Sequence, residues 1–211
     1  MGRYEGEMIS QEYSDEDGEI ATKMARRAIE EFIDIKLIIK NSYGGKFVEK
    51  RGVFTTIRKM SGELRGCIGF PEPVYPLGEA IIKSAIAAAV DDPRFPPVTK
   101  DEMDDVVVEV SLLTKPTLIE VKNRKDLPSK IKIGVHGLIA QRGPFSGLLL
   151  PQVAIEENLD SKSFLDSVCW KAGMEPGCWT DQETAISVFG AEIFYEIEPK
   201  GPVFRKNLSK E

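Results

Sequence analysis

Residues 63–70 read ELRGCIGF, and residues 52–59 before them read GVFTTIRK. Both runs are short, and the first is β-branched and aromatic. KMSG at 59–62 separates them and ends in the turn pair Ser61-Gly62. That pattern predicts an antiparallel hairpin. In the second strand a period of two puts Leu64, Gly66, Ile68 and Phe70 on one face and Arg65, Cys67 and Gly69 on the other. The first face is apolar and belongs to a core. On the second, Arg65 and Cys67 stand about 7 Å apart at a strand rise of about 3.3 Å per residue. A guanidinium at that range favours the thiolate, the reactive form of cysteine. Gly66 and Gly69 each remove a side chain, and glycine inside a strand marks close approach of a backbone or a ligand. A plainer reading makes Cys67 an inert small hydrophobe beside a solvated arginine.

Working outward, Ser14 followed by Asp15, Glu16 and Asp17 is a helix start, with acidic groups at the positive end of the dipole. Ala21, Ala25, Ala28, Phe32, Ile35 and Ile39 then recur in steps of four and three, one stripe of a long amphipathic helix ended by NSYGGK. After the hairpin, PEPVYP cannot continue a ladder. LGEAIIKSAIAAAVDD is an alanine-rich helix with Leu77, Ile81, Ala85 and Ala88 on one face. VVVEVSLLT is a strand. From Pro116 to Pro128 the pattern is broken and short. KIKIGVHGLIAQ and FSGLLLP read as short strands. PQVAIEENL and SKSFLDSVCWKAG read as helices, with Pro151 in a first helical turn. ISVFGAEIFYEIE closes the chain as a single half-buried strand. Helices and strands mix without βαβ alternation, so the fold class is α+β with mostly antiparallel sheet.

The chain has 211 residues, 42% hydrophobic and 29% charged, with a net charge of −6. That composition suits a globular domain with a substantial core. The acidic balance argues against nucleic acid as a partner. No apolar run approaches the roughly 20 residues that span a bilayer. The first 19 residues lack the apolar core of a secretory leader, and Gly6 stands where a myristoylation signal needs Ser or Thr. Cys67, Cys169 and Cys178 are sparse and odd in number, which fits a reducing, cytoplasmic setting with no disulfide. Cys169 falls at helical spacing from Leu165 and reads as core. Cys178 sits in a loop, and neither reads as catalytic.

His136, in IGVHGLIAQ, is the one histidine and the natural candidate for a base near neutral pH. A hydrogen-bonded structural role is its alternative. DPRFPP, residues 92–97, holds Arg94 and Phe95 between prolines. A rigid arginine there suits carboxylate or phosphate recognition, or else closes a helix with an ion pair to Asp91 or Asp92. Glu109, within VVVEVSLL, is a carboxylate that needs a partner. One histidine and scattered cysteines do not make a zinc site, and no phosphate-binding or nucleophile-elbow motif is present. No metal or cofactor is expected.

LRGCIG resembles the signature hexapeptide of the AMMECR family. DPRFPPVTKDE, VEVSLLT, IGVHGL, LLPQVA and the segments from FLDSVCWKAGM to AEIFYE follow in the family's order, so the resemblance covers roughly residues 15–200. It implies two unequal α+β lobes with a cleft between them, lined by the hexapeptide and suited to a peptide or protein ligand. Within a domain of residues 10–205, the larger lobe is expected from about 10–115 and 183–205 and the smaller from about 116–180. Relatives encoded beside Memo-family and radical-SAM proteins imply a shared modification pathway. Two functions stay open. One is a thiol-dependent enzyme acting on a peptide or protein, with Cys67 as nucleophile and His136 as base. The other is a non-catalytic peptide- or protein-binding module. In both, Arg65, Gly66, Gly69 and Arg94 line the ligand site.

Overall fold

A computed structural model describes residues 12–206; the N-terminal stretch read for leader and lipidation signals lies, up to residue 11, outside the described residues. In chain order the elements are α1 (Asp15–Ile35), β1 (Val53–Lys59), β2 (Leu64–Phe70), α2 (Leu77–Val90), β3 (Val106–Leu113), β4 (Thr117–Leu118), β5 (Gly137–Arg142), β6 (Phe145–Leu149), α3 (Pro151–Glu156), α4 (Ser161–Lys171), β7 (Ala185–Phe189), β8 (Ala191–Glu196) and β9 (Val203–Arg205). They fall into two compact units, one of residues 12–113 with 192–206 and one of residues 114–191. Each carries its own sheet, in the orders β2-β1-β3-β8-β9 and β4-β7-β5-β6. Helices and antiparallel sheet together make an α+β protein, as the element pattern implied.

In the larger unit, α1 starts on a reciprocal cap. Ser14 Oγ accepts from Asp17 N at 3.1 Å, and Asp17 Oδ2 accepts from Ser14 N at 2.8 Å, which satisfies two donors at the helix start. Ala21, Met24, Ala25, Ala28 and Ile29 form its buried face. The expected stripe runs too far. Lys36 takes the left-handed conformation (φ 57°) and stops the helix, leaving Ile35 63% exposed and Ile39 beyond the helix end. α2 buries Leu77, Ile81, Ala85 and Ala88, and both helices pack on one face of the sheet. One ion pair lies within this core. Arg26 Nε and Nη2 donate to Glu196 Oε1 and Oε2 at 2.7 and 2.5 Å. The other donors of Arg26 reach the Met103 and Val106 carbonyls.

The smaller unit packs Leu138, Ala140 and Ile186 of its sheet against Phe164, Leu165 and Val168 of α4. Asp160 caps α4 through Ser163 N, and Pro151 opens α3. The expectation of free thiols is corrected here, because Cys169 and Cys178 form a disulfide with Cα atoms 5.7 Å apart. Asp166 Oδ1 accepts from Gly177 N at 2.8 Å and Trp179 Nε1 at 2.7 Å. Those bonds draw the 177–180 turn onto the helix and bring the two cysteines within bridging range.

ISVFGAEIFYEIE is two strands, a second correction. β7 belongs to the smaller sheet and β8 to the larger. Between them Gly190 N donates to Thr114 Oγ1, and Thr114 N donates to the Gly190 carbonyl, at 2.7 and 2.9 Å. Apolar alternation continues through Gly190, so periodicity alone does not reveal the change of sheet.

Candidate functional site

The hairpin has the predicted strands and turn. Gly62 sits at φ 88° and its N–H donates to the Lys59 carbonyl at 2.8 Å. Pairing runs Val53↔Phe70, Thr55↔Ile68, Thr56↔Cys67 and Ile57↔Gly66, then skips to Arg58↔Leu64. Arg65 is the unpaired residue of a β-bulge, a feature that re-aims a side chain. All three of its guanidinium nitrogens donate. Nε and Nη2 donate to the two Glu102 oxygens at 2.7 and 3.1 Å, and Nη1 and Nη2 donate to the Pro96 and Pro97 carbonyls at 2.9 and 3.3 Å. Arg65 is only 6% exposed. Two sequence expectations for it change. Its charge is balanced by Glu102 rather than directed at the thiol, and it ties the 96–102 loop to the strand rather than presenting a free cation to a ligand. The Arg65 hydrogen bonds hold Glu102 well below the usual carboxylate range, at about 2.

Cys67 is the free cysteine, and it is half-buried. Thr56, across the ladder, donates from Oγ1 to Sγ at 3.3 Å. Thr56 is also opposite Glu109 on β3, so Cys67, Thr56 and Glu109 form one row across three strands. Glu109 has Lys206 Nζ 3.5 Å away, the partner its position called for.

β2 is an edge strand. Its outer side is closed at Cys67 by two side chains of the DPRFPP loop. Cys67 N donates to Asp92 Oδ2 at 2.8 Å, and Arg94 Nη2 donates to the Cys67 carbonyl at 3.2 Å. Arg94 and Asp92 are themselves joined by Nε–Oδ1 and Nη2–Oδ2 bonds of 2.9 and 2.7 Å. The Arg94 guanidinium drives the Asp92 carboxyl far below its ordinary value, and Asp92 in return raises Arg94. Together the two side chains do for Cys67 what a neighbouring strand would do. The Arg94 side chain stays 54% exposed. Antiparallel alternation points the N–H and C=O of Gly69 to the same outer side as those of Cys67, and among the described residues no side chain bonds them.

The two glycines meet different neighbours. A Cβ on Gly66 would lie 2.1 Å from the Ala88 carbonyl oxygen, so Gly66 lets α2 approach the sheet. A Cβ on Gly69 would lie 2.2 Å from the Phe54 ring, which lies over this strand on the Cys67 face.

His136 belongs to the other unit, 8% exposed, where its Nδ1 accepts from Lys132 N at 3.2 Å. Burial, with the Lys132 charge, pushes its pKa below the ordinary 6.5. It is a neutral imidazole closing the 132–136 turn. Sequence reasoning missed Thr56, Asp92 as the edge cap, and Glu102. Glu102 had a legible signal, since Thr99-Lys-Asp-Glu102 has capping-box spacing, and Thr99 N and Oγ1 do donate to Glu102 Oε2 at 2.8 and 3.1 Å. Thr56 had none. Among the described residues no cluster of His, Cys, Asp or Glu is placed to hold a metal ion, and no helix is long and apolar enough to cross a membrane.

A family model described as AMMECR1 matches residues 22–194. A protein of Thermococcus onnurineus is 54% identical over 200 residues, covering 92% of this chain and 97% of that one. Protein MJ0810 of Methanocaldococcus jannaschii is 50% identical over 194 residues, covering 92% and 96%. The crystal structure of the uncharacterized protein PH0010 from Pyrococcus horikoshii matches with a TM-score of 0.75 and 51% identity, covering 90% of this chain and 96% of that one.

Proposed function

The chain belongs to the AMMECR1 family, and from that premise we propose that it is a peptide- or protein-binding module whose ligand lies along the outer side of β2. One observation carries the reading. Each guanidinium nitrogen of Arg65 donates inside the protein, while Arg94 stands half-exposed beside the Cys67 carbonyl. Asp92 balances the Arg94 charge, so the site offers directed donors without net attraction for an anion. The outward N–H and C=O of Gly69 add a main-chain pair of the kind an extended peptide uses. A neutral, main-chain-rich edge suits a peptide backbone better than phosphate or nucleic acid. Proteins of the Memo and radical-SAM families are the candidate sources of such a peptide.

Thiol chemistry at Cys67 is the second reading, favoured by the Thr56 hydroxyl bonded to the sulfur. Its proposed base is less well supported, because His136 is already an acceptor for Lys132 N. Random peptides displayed on phage and selected on the full chain test both readings. Binding is expected to fall by about tenfold with Arg94→Ala, the scale of a lost charge-assisted hydrogen bond, and to survive Cys67→Ala. Peptides indifferent to Arg94→Ala would remove the site from this edge. A covalent peptide adduct on Cys67, lost in Cys67→Ala, would favour the enzyme.

A further inference from the structure

A second surface lies on the outer side of α2, in the larger unit. An apolar cavity of about 810 Å3 runs beside the helix, with Phe70, Tyr75, Ile82 and Ile86 among its lining. Its lining includes exposed aliphatic side chains, Ile38 at 61% and Val48 at 59%. Apolar side chains clustered this way mark an interaction site rather than ordinary surface.

The charges say which partner fits. Glu79, Lys83 and Ala87 on the outer row of α2 and Asp91 at its C-cap are spaced by four residues and therefore follow one side of the helix. Lys83 has Glu79 3.6 Å away and lies over the Tyr75 ring. Asp91 has no ion-pair partner among the described residues. Lys83 and Asp91 stand equally far on either side of Ala87, about 6 Å each at a rise of about 1.5 Å per residue. A row with opposite charges placed symmetrically about a small residue is complementary to itself when reversed.

We infer that this face is the seat of a second copy of the chain, related by a two-fold axis passing beside Ala87. The axis sets the two α2 helices antiparallel. Each Lys83 then meets the partner's Asp91, so the interface holds two reciprocal ion pairs of the kind an isologous contact requires. The Ala87 methyl groups on the axis let the helices approach, and the exposed aliphatic lining is covered.

Sedimentation equilibrium of the full chain over a micromolar concentration series reads the association directly. Wild type is expected to dimerise. Lys83→Asp and Asp91→Lys should each raise the dimer Kd by about tenfold. Lys83→Asp combined with Asp91→Lys restores both pairs with reversed sign and should return Kd close to wild type. Ala87→Arg should leave monomer. Asp91→Lys places a cation at a helix C-terminus, which favours folding, and melting curves confirm that each variant is folded. A wild-type monomer throughout would overturn the inference and leave the groove to another occupant. A dimer unmoved by Lys83→Asp and Ala87→Arg, or a double variant no better than the single ones, would overturn it equally.

Discussion

The two units solve the same problem by different means. In the larger one, polar groups are brought inside and satisfied: Glu196, 3% exposed, takes both Arg26 nitrogens and the Val108 N–H. The LRGCIG strand is held in the same way, with Glu102 and two proline carbonyls on Arg65 and the Asp92–Arg94 pair on Cys67. The smaller unit has a smaller core and a covalent tie, Cys169–Cys178, beside the hydrogen bonds of Asp166. Small cores commonly need such a staple. One consequence is functional. Ion pairs that fix a strand edge also place exposed donors there, and a buried disulfide does not.

The sharpest way to break this contrast is Arg26→Met. It leaves the Glu196 carboxylate buried without its cation, and breaking a buried pair costs about 3–5 kcal/mol. Urea unfolding followed by hydrogen exchange in α1 and β3 should register that loss in the larger unit. Next is the staple. Cys178→Ser opens a short loop, worth about 2.5–3 kcal/mol in the chain-entropy account. Exchange should rise in α4 and β5, with α1 and α2 unchanged. Gly66→Ala is a smaller disturbance of the larger unit. Its Cβ meets the Ala88 carbonyl, and α2 must shift at a cost of about 1–3 kcal/mol; a melting temperature equal to wild type would contradict the close approach.

The smallest effect is pH-dependent and lies in the other unit. Native His136 holds its proton less tightly than it does in the unfolded chain, where it titrates near 6.5. Below that value the unfolded state binds the extra proton, so the smaller unit loses stability as pH falls and recovers it as pH rises through about 6.5. His136→Gln should flatten that slope. Glu102 in the larger unit, depressed to about 2 by Arg65, supports stability above the ordinary carboxylate range. That support is lost only as pH drops toward 2.

Local pattern made much of the fold legible. The hairpin, the Ser14 helix start, the buried face of α2 and the antiparallel α+β class all follow from periodicity and turn chemistry. What stayed hidden depends on distant partners. Nothing in ISVFGAEIFYE announces that Gly190 faces Thr114 and that the chain changes sheet there. Cys169 and Cys178 are read as unrelated until Asp166 is seen to gather the 177–180 turn. Arg65 and Cys67 share a face in an ideal strand, but the bulge turns Arg65 toward Glu102; Gly66 beside it was read only as a close approach, although glycine inside a strand also marks a bulge. The partners that fix the charges along this strand, Glu102 and Asp92, were not legible in it.

Cys67, the free thiol among three cysteines, allows the central claim to be tested at the atom concerned. A trifluoroethylthio group attached to Cys67 gives one fluorine resonance, to be followed during titration with a phage-selected peptide. The binding account predicts a shift that saturates with the peptide and weakens by about tenfold in Arg94→Ala. A peptide that binds the labelled chain tightly while the resonance stays unmoved would place its site elsewhere and contradict the account.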